Sequence, residues 1–279
     1  MKKFAGLLSF IVVMLAACIP EQAESKLPPV ETSVISTSTF STTLESTARL
    51  PLNVTWQIQY TGEMDYSLDV DVYNLDLFDT DATVISQLHE RDIFVMCYFS
   101  AGSYEDWRSD SVQFPSEVLG RQLDNWEGER WLDIRRIDLL KPIIESHLEL
   151  AVKKNCDGVD PDNVDGYQND TGFPLTATDQ AAYNIFLSTQ AHTRRLLIGL
   201  KNDLDQIPEL VQFFDWALNE ECFSNEECHL LVPFLMAGKP VFVVEYQLTP
   251  EEFCFKAREL NFNALQKQLE LDAYRFSCN

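Results

Sequence analysis

Across residues 51–279, eight short apolar runs rich in β-branched and aromatic side chains are separated, in most cases, by longer, amphipathic runs. The extended candidates are 54–60, 70–78, 94–100, 158–163, 196–201, 216–222, 240–246 and, with the weakest pattern, 263–268. Helical candidates between them are 81–91, 136–154, 176–195, 204–214, 225–237 and 249–260. In 136–154, Ile137, Leu140, Ile144, Leu148 and Val152 recur at helical spacing. Thr249-Pro250-Glu251-Glu252 supplies a cap, a proline at the first turn and early acids. Strand–helix alternation of this kind predicts an α/β fold with a parallel sheet. Gly-x-Gly-x-x-Gly and phosphate-loop signatures are missing from the sequence, which disfavours a doubly wound nucleotide-binding sheet. Eight repeats predict a (β/α)8 TIM-type barrel, whose chemistry sits on the loops that follow the strands.

Polar residues gather at those strand ends. The second strand ends near Asp76, the third at Tyr98-Phe99-Ser100-Ala101-Gly102-Ser103, the fifth at Lys201-Asn202, the sixth at Asn219-Glu220-Glu221 and the seventh at Glu245-Tyr246. The fourth ends in the densest acid cluster of the chain, Asp157-Gly158-Val159-Asp160-Pro161-Asp162-Asn163-Val164-Asp165. Alternate side chains of a strand share a face, so Asp160 and Asp162 are expected on one side and Pro161 on the other. A proline favours strand ends, and the strand is expected to finish there. Asp157 falls at the strand's start and reads as structural. Clustered carboxylates repel, and several on one rim fit an active site better than a fold built for stability alone.

Residues outside the barrel constrain location. Lys2-Lys3, an apolar run over residues 4–17 and the ending Leu15-Ala16-Ala17-Cys18 describe an export signal too short to span a bilayer. The ending resembles a bacterial lipobox, so residues 1–17 are read as a lipoprotein signal peptide and Cys18 as the lipidated first residue of the mature chain. Ile19 follows in place of the aspartate that signals inner-membrane retention. Residues 18–50 are dense in Ser and Thr and read as a disordered tether, leaving 51–279 as one domain. Six cysteines remain after Cys18, an even set suited to an oxidising compartment. Cys222 with Cys228 and Cys254 with Cys278 are the expected disulfides; Cys97 and Cys156 are read either as a third pair or as buried thiols on neighbouring strands.

A net charge of -23 argues against nucleic acid and accommodates a cationic partner. Asp160-x-Asp162-Asn163 begins like a calcium loop, but Val164 and Thr171 stand where ligands are needed. The four histidines, 89, 147, 192 and 229, lack paired zinc spacing, so neither a metal nor a cofactor is expected. No Gly-x-Ser-x-Gly elbow occurs. Carboxylate chemistry remains, glycoside hydrolysis first.

The blocks Cys97–Ser103, Asp157–Tyr167, Asn219-Glu220-Glu221-Cys222 and Val244-Glu245-Tyr246, with Trp56-Gln57-Ile58-Gln59 upstream, resemble the motifs of glycoside hydrolase family 114, the endo-α-1,4-polygalactosaminidases. The resemblance implies a barrel that cuts a cationic, α-1,4-linked galactosamine-containing polysaccharide. It also implies that Asp162 and Glu220 are the catalytic acids. Glu221 stands where the family usually has Gln, and Glu245 is the rival for the second role. On this reading Asp162, kept ionised by Asn163 and backbone donors, is the nucleophile of a retaining mechanism. Glu220, with a raised pKa, is acid and then base. Asp76, Asp160, Asp165 and Glu245 are expected to grip hydroxyls and amines, and Lys201 to orient one carboxylate. Trp56, Tyr98, Trp107, Tyr167 and Tyr246 are offered as sugar-stacking faces, with core packing the competing role for each. The expected product is an exported, lipid-anchored monomeric enzyme at the cell surface or in the periplasm. The alternative is a lipoprotein of the same barrel that binds polysaccharide without turnover.

Overall fold

The computed structural model describes residues 49–279; the signal, Cys18 and nearly all of the tether lie outside the described residues. Eight parallel strands form the barrel: β1 (Trp56–Gln59), β2 (Val72–Asp76), β3 (Phe94–Ser100), β7 (Gly158–Asp162), β8 (Leu197–Lys201), β9 (Trp216–Glu220), β10 (Val241–Glu245) and β11 (Asn263–Gln266). They are ordered β1-β2-β3-β7-β8-β9-β10-β11, and a short β12 (Phe276–Ser277) adds antiparallel to β11. Between β3 and β7 the chain inserts a small antiparallel sheet of β4 (Ser103–Glu105), β5 (Leu119–Gln122) and β6 (Glu129–Leu132). The helices are α1 (Ala82–His89), α2 (Ile137–Lys154), α3 (Ala177–Thr193), α4 (Ile207–Leu210), α5 (Val232–Met236) and α6 (Pro250–Leu260). The expected (β/α)8 barrel is the fold observed.

Strand alternation divides the core in two. One set of side chains faces the helices, among them Val159, Ile198, Ala217 and Val243, packed with Leu140, Ile144 and Leu148 of α2. The other set fills the barrel: Trp56, Ile58, Val72, Met96, Trp216, Leu218, Phe242, Val244 and Leu265. Trp216 fits because β7 and β8 present glycine beside it. A Cβ on Gly158 would stand 2.7 Å from the indole, and one on Gly199 would overlap it. Overpacking of this kind destabilises by about 1–3 kcal/mol.

Side chains stitch β1 to β11. Val54 N donates to Asn263 Oδ1 at 2.9 Å, Trp56 Nε1 to the Asn263 carbonyl at 2.9 Å, and Lys267 Nζ to Gln57 Oε1 at 3.1 Å. Trp56 is thus a core residue, 1% exposed, and presents no stacking face. Asp157, as expected, is structural: its Oδ2 accepts from Val95 N and meets His89 Nε2, both at 2.8 Å. Both capping boxes, Thr176 with Asp179 and Thr249 with Glu252, are formed. Among the described residues the cysteines form three disulfides, Cys97–Cys156, Cys222–Cys228 and Cys254–Cys278. The two expected pairs are present, and the open pair is joined across β3 and the end of the α2 connection.

Candidate active site

The inward parity that buries Trp216 and Leu218 deeper in the barrel delivers polar residues at its mouth. On β7 it selects Asp160 and Asp162, on β8 Lys201, on β9 Glu220, and just past β10 Tyr246. From the other side come Tyr60 after β1, Asn74 of β2 and Tyr98 of β3. Register places Tyr98 opposite Asp160 and Ser100 opposite Asp162. β7 runs through Pro161 rather than ending at it, but its ladder to β8 stops at Val159. Proline has no N–H to continue a ladder.

Immediately after these strands the chain turns through left-handed backbone: Asn163 at φ 60°, Asn202 at 51°, Asp203 at 47° and Glu221 at 64°. Asn and Asp tolerate that region, whereas Glu there is unusual. Such conformations are held by their surroundings and cluster where side chains are aimed for function. Beside Asn163, Ala101 N and Gly102 N both donate to the Asp162 carbonyl at 3.0 Å. A Cβ on Gly102 would overlap the Asn163 carbonyl, so glycine is required for this approach.

Lys201 organises the centre. Its ammonium is 3.2 Å from Asp162 Oδ1 and 3.3 Å from Glu220 Oε2, and the side chain is 2% exposed. Burial alone would pull its pKa down, but Asp162, Glu220 and Asp160 together hold it above the ordinary lysine value. Asp162 Oδ1 also accepts from Asn163 N at 2.9 Å, the backbone donor the sequence led one to expect. The Asn163 side chain turns away to Ser100 and Ser103. Glu220 accepts at Oε1 from the Tyr246 hydroxyl, while its backbone N donates to Asn202 Oδ1 at 3.0 Å. Asp160 is fully buried and takes the Asn74 amide at 2.8 Å. Burial pushes its carboxyl up to about 6, with Lys201 and Asn74 opposing. Tyr60 donates to Asn74 Oδ1 at 3.0 Å and stacks on Tyr98, ring centroids 4.3 Å apart.

Asp162, Glu220, Asp160, Lys201, Tyr98 and Tyr246 therefore converge on one mouth, and half-buried Asp165 stands beside them. Burial, then the Asp162 charge, pushes Asp165 up to about 6. Three expected binding residues do not join the group. Glu245 has outward parity: it is fully buried, accepts from Phe223 N at 2.8 Å and Ser224 Oγ at 3.0 Å, and cannot rival Glu220. Asp76 is held by Arg108 at 3.1 and 2.6 Å and accepts from Phe78 N and Asp79 N. Its oxygens are already engaged. Trp56 lies in the core, as described above. Tyr60 and Asn74 were missed, although their parity with Ile58 and Val72 marks them as inward-facing. Trp107 is exposed on the inserted sheet's side of the barrel, and Tyr167 hydrogen-bonds Gln168 at 2.8 Å.

Chemically the mouth offers two carboxylates separated by one ammonium, an acceptor-rich wall and two stacked phenols. Among the described residues no group of His, Cys, Asp or Glu is placed to hold a metal ion.

Comparison with known proteins bears on the family and the fold. A family model for glycoside-hydrolase family GH114 matches residues 37–279, beginning inside the stretch read as tether. The crystal structure of Ega3 from Aspergillus fumigatus in complex with galactosamine is similar at 38% identity and a TM-score of 0.79, covering 83% of this chain and 97% of that one. The glycoside hydrolase domain of PelA from Pseudomonas aeruginosa shares the fold at 12% identity and a TM-score of 0.64, covering 80% and 98%. No curated protein matched the sequence.

Proposed function

This chain belongs to glycoside-hydrolase family GH114, and from that premise we propose an endo-acting hydrolase of α-1,4-linked galactosamine-containing polysaccharide. Asp162 is the nucleophile, and Glu220 is the acid and then the base. The observation that carries this reading is the shared ammonium. Asp162 Oδ1 and Glu220 Oε2 each lie within 3.3 Å of Lys201 Nζ, so these oxygens are at most about 6.5 Å apart. Retaining glycosidases place their carboxyls about 5–5.5 Å apart and inverting ones about 6.5–9.5 Å. The bound supports retention.

In the first step Asp162 bonds to the anomeric carbon as the glycosidic carbon–oxygen bond breaks, and Glu220 gives its proton to the departing oxygen. Water then attacks the same carbon, Glu220 takes a proton from it, and the bond to Asp162 breaks. The negative charge begins on Asp162, rests on Glu220 while the sugar is attached, and returns. Lys201 faces both oxygens and complements the charge at either stage, which is preorganised electrostatic stabilisation. Tyr246 orients Glu220, and Tyr60 and Tyr98 offer a stacking face to the sugar.

Substrate class follows from charge and from the galactosamine bound by the 38%-identical relative. A chain of net charge -23 attracts a polycation. The lipobox-like ending at Cys18 supports export and anchoring of the enzyme where such a polymer is exposed. Sizing the products released from polygalactosamine by the purified chain tests the function. Short oligosaccharides are expected, and both Asp162→Asn and Glu220→Gln abolish them; an intact polymer with the native chain overturns the proposal.

A further inference from the structure

Next to Glu220 the mouth continues into a cavity of about 280 Å³ whose wall carries Asp165, Asp203, Asp205, Glu220 and Glu227 and no lysine or arginine. The catalytic scheme uses only Glu220 of these. Two side chains on this wall are buried with an unmet acceptor. Asp203 is 2% exposed; its Oδ2 takes the Asn184 amide at 2.8 Å, its Oδ1 has no partner within hydrogen-bond distance, and the Tyr167 hydroxyl lies near the carboxylate and favours its ionised form. Asn219 is also 2% exposed; its Nδ2 donates to Asn202 Oδ1 at 3.2 Å, and its Oδ1 has no partner. Buried polar atoms are ordinarily satisfied, and an unmet one in a cavity marks where a guest's donor belongs. Both atoms are acceptors, so the guest they fit is a donor. The surplus of carboxylates makes it a cation, and Leu204 and Leu230 add apolar wall for a ring face.

We propose that this cavity is the subsite for the sugar ring next to the cleaved bond and that Asp203 selects a free, protonated amine there over an N-acetyl group. The inference rests on reading the chain as a galactosamine-polymer hydrolase and names the residue that sets its preference. An ammonium carries three N–H donors and a charge, whereas an acetamide carries one N–H, no charge and more bulk. Burial, then repulsion from Asp165, pushes the Asp203 carboxyl up to about 8. An ammonium bound beside it favours the ionised form. Charge-assisted hydrogen bonds to buried groups contribute about 1.5–3 kcal/mol, which corresponds to roughly ten- to hundredfold in discrimination.

Deacetylated and N-acetylated galactosamine oligomers, compared with the full chain and with Asp203→Asn, provide the test. The substitution is expected to raise KM for the deacetylated oligomer about tenfold or more with little change in kcat. The acetylated oligomer is unaffected, and the preference collapses. Leu230→Trp, which adds bulk to the cavity from another lining residue, is expected to weaken the deacetylated oligomer in the same way, and it decides the matter where Asp203→Asn fails to fold. Titration with galactosamine and with N-acetylgalactosamine, followed by NMR, separates this inference from the proposed function. If the native chain cleaves nothing but binds only galactosamine, and Asp203→Asn loses that binding, the function fails and the subsite stands. Unchanged preference and unchanged galactosamine binding in the folded variants overturn the inference.

Discussion

Lys201 Nζ stands 3.2 Å from Asp162 Oδ1, so the strand next to the proposed nucleophile's own supplies its counterion from inside the barrel wall. The same nitrogen is 3.3 Å from Glu220 Oε2 on the strand after that. Three neighbouring strands, β7, β8 and β9, thus present carboxylate, ammonium and carboxylate to one another. Asp160 adds a third carboxylate below them, and one ammonium serves all three.

Removing that ammonium tests its role. Lys201→Met keeps much of the side-chain volume but leaves three carboxylates facing one another. Loss of a preorganised electrostatic contact is expected to lower kcat by about 10²–10³-fold. The acid limb of the pH–rate profile is expected to move to higher pH, because the acids repel without their cation. A variant with near-native kcat and an unmoved profile shows that Lys201 only fills space.

Stability is expected to fall as pH rises from mildly acidic to mildly alkaline. Burial pushes Asp160 and Asp165 up to about 6, Glu129 up to about 7 and Asp203 up to about 8. Unfolded carboxylates titrate near 4. Between about 4 and 8 the folded chain therefore holds more protons than the unfolded chain, and by linkage stability declines with pH. Lys201, raised above its ordinary value, contributes fully throughout this window and does not reverse the trend. Melting curves at pH 5.5 and 8.0 check the sign: a higher melting temperature at pH 5.5 is expected, and the opposite order contradicts the buried-acid account.

The disulfides are expected to differ in effect. Cys97–Cys156 spans 59 residues and Cys222–Cys228 only 6. Loop-closure entropy gives about 4 kcal/mol for the long loop and about 2 kcal/mol for the short one. Denaturant unfolding of the two double-alanine variants should show the larger loss for Cys97/Cys156. Equal losses would point to packing rather than chain entropy.

Much of this architecture was legible in the sequence because buried parallel strands are short, apolar and β-branched. All eight strand segments appear within a few residues of where the pattern placed them. The inserted sheet β4-β5-β6 was not, since antiparallel strands such as Leu119–Gln122 alternate weakly and are half solvated. Two expected helices shortened: 204–214 keeps only Ile207–Leu210 as α-helix, and 225–237 keeps Val232–Met236. Pro208 and Pro233 open those helices, and the Cys222–Cys228 bridge closes a turn before the second. In the site, strand parity was the signal that separates Glu220 and Tyr246 from outward-facing Glu245. Composition at a strand end does not carry it. Asp76 was misread because its partner Arg108 lies 32 positions away in the inserted region, a distance no local pattern spans.

The stereochemistry of the first product tests the central claim, that Asp162 attacks the sugar while Glu220 protonates the leaving group. Proton NMR of early hydrolysis of an α-1,4-galactosamine oligomer reads the anomer before it equilibrates. Two successive displacements through Asp162 give the α-anomer first. A β-anomer appearing first means that water attacks directly, and it contradicts Asp162 as nucleophile.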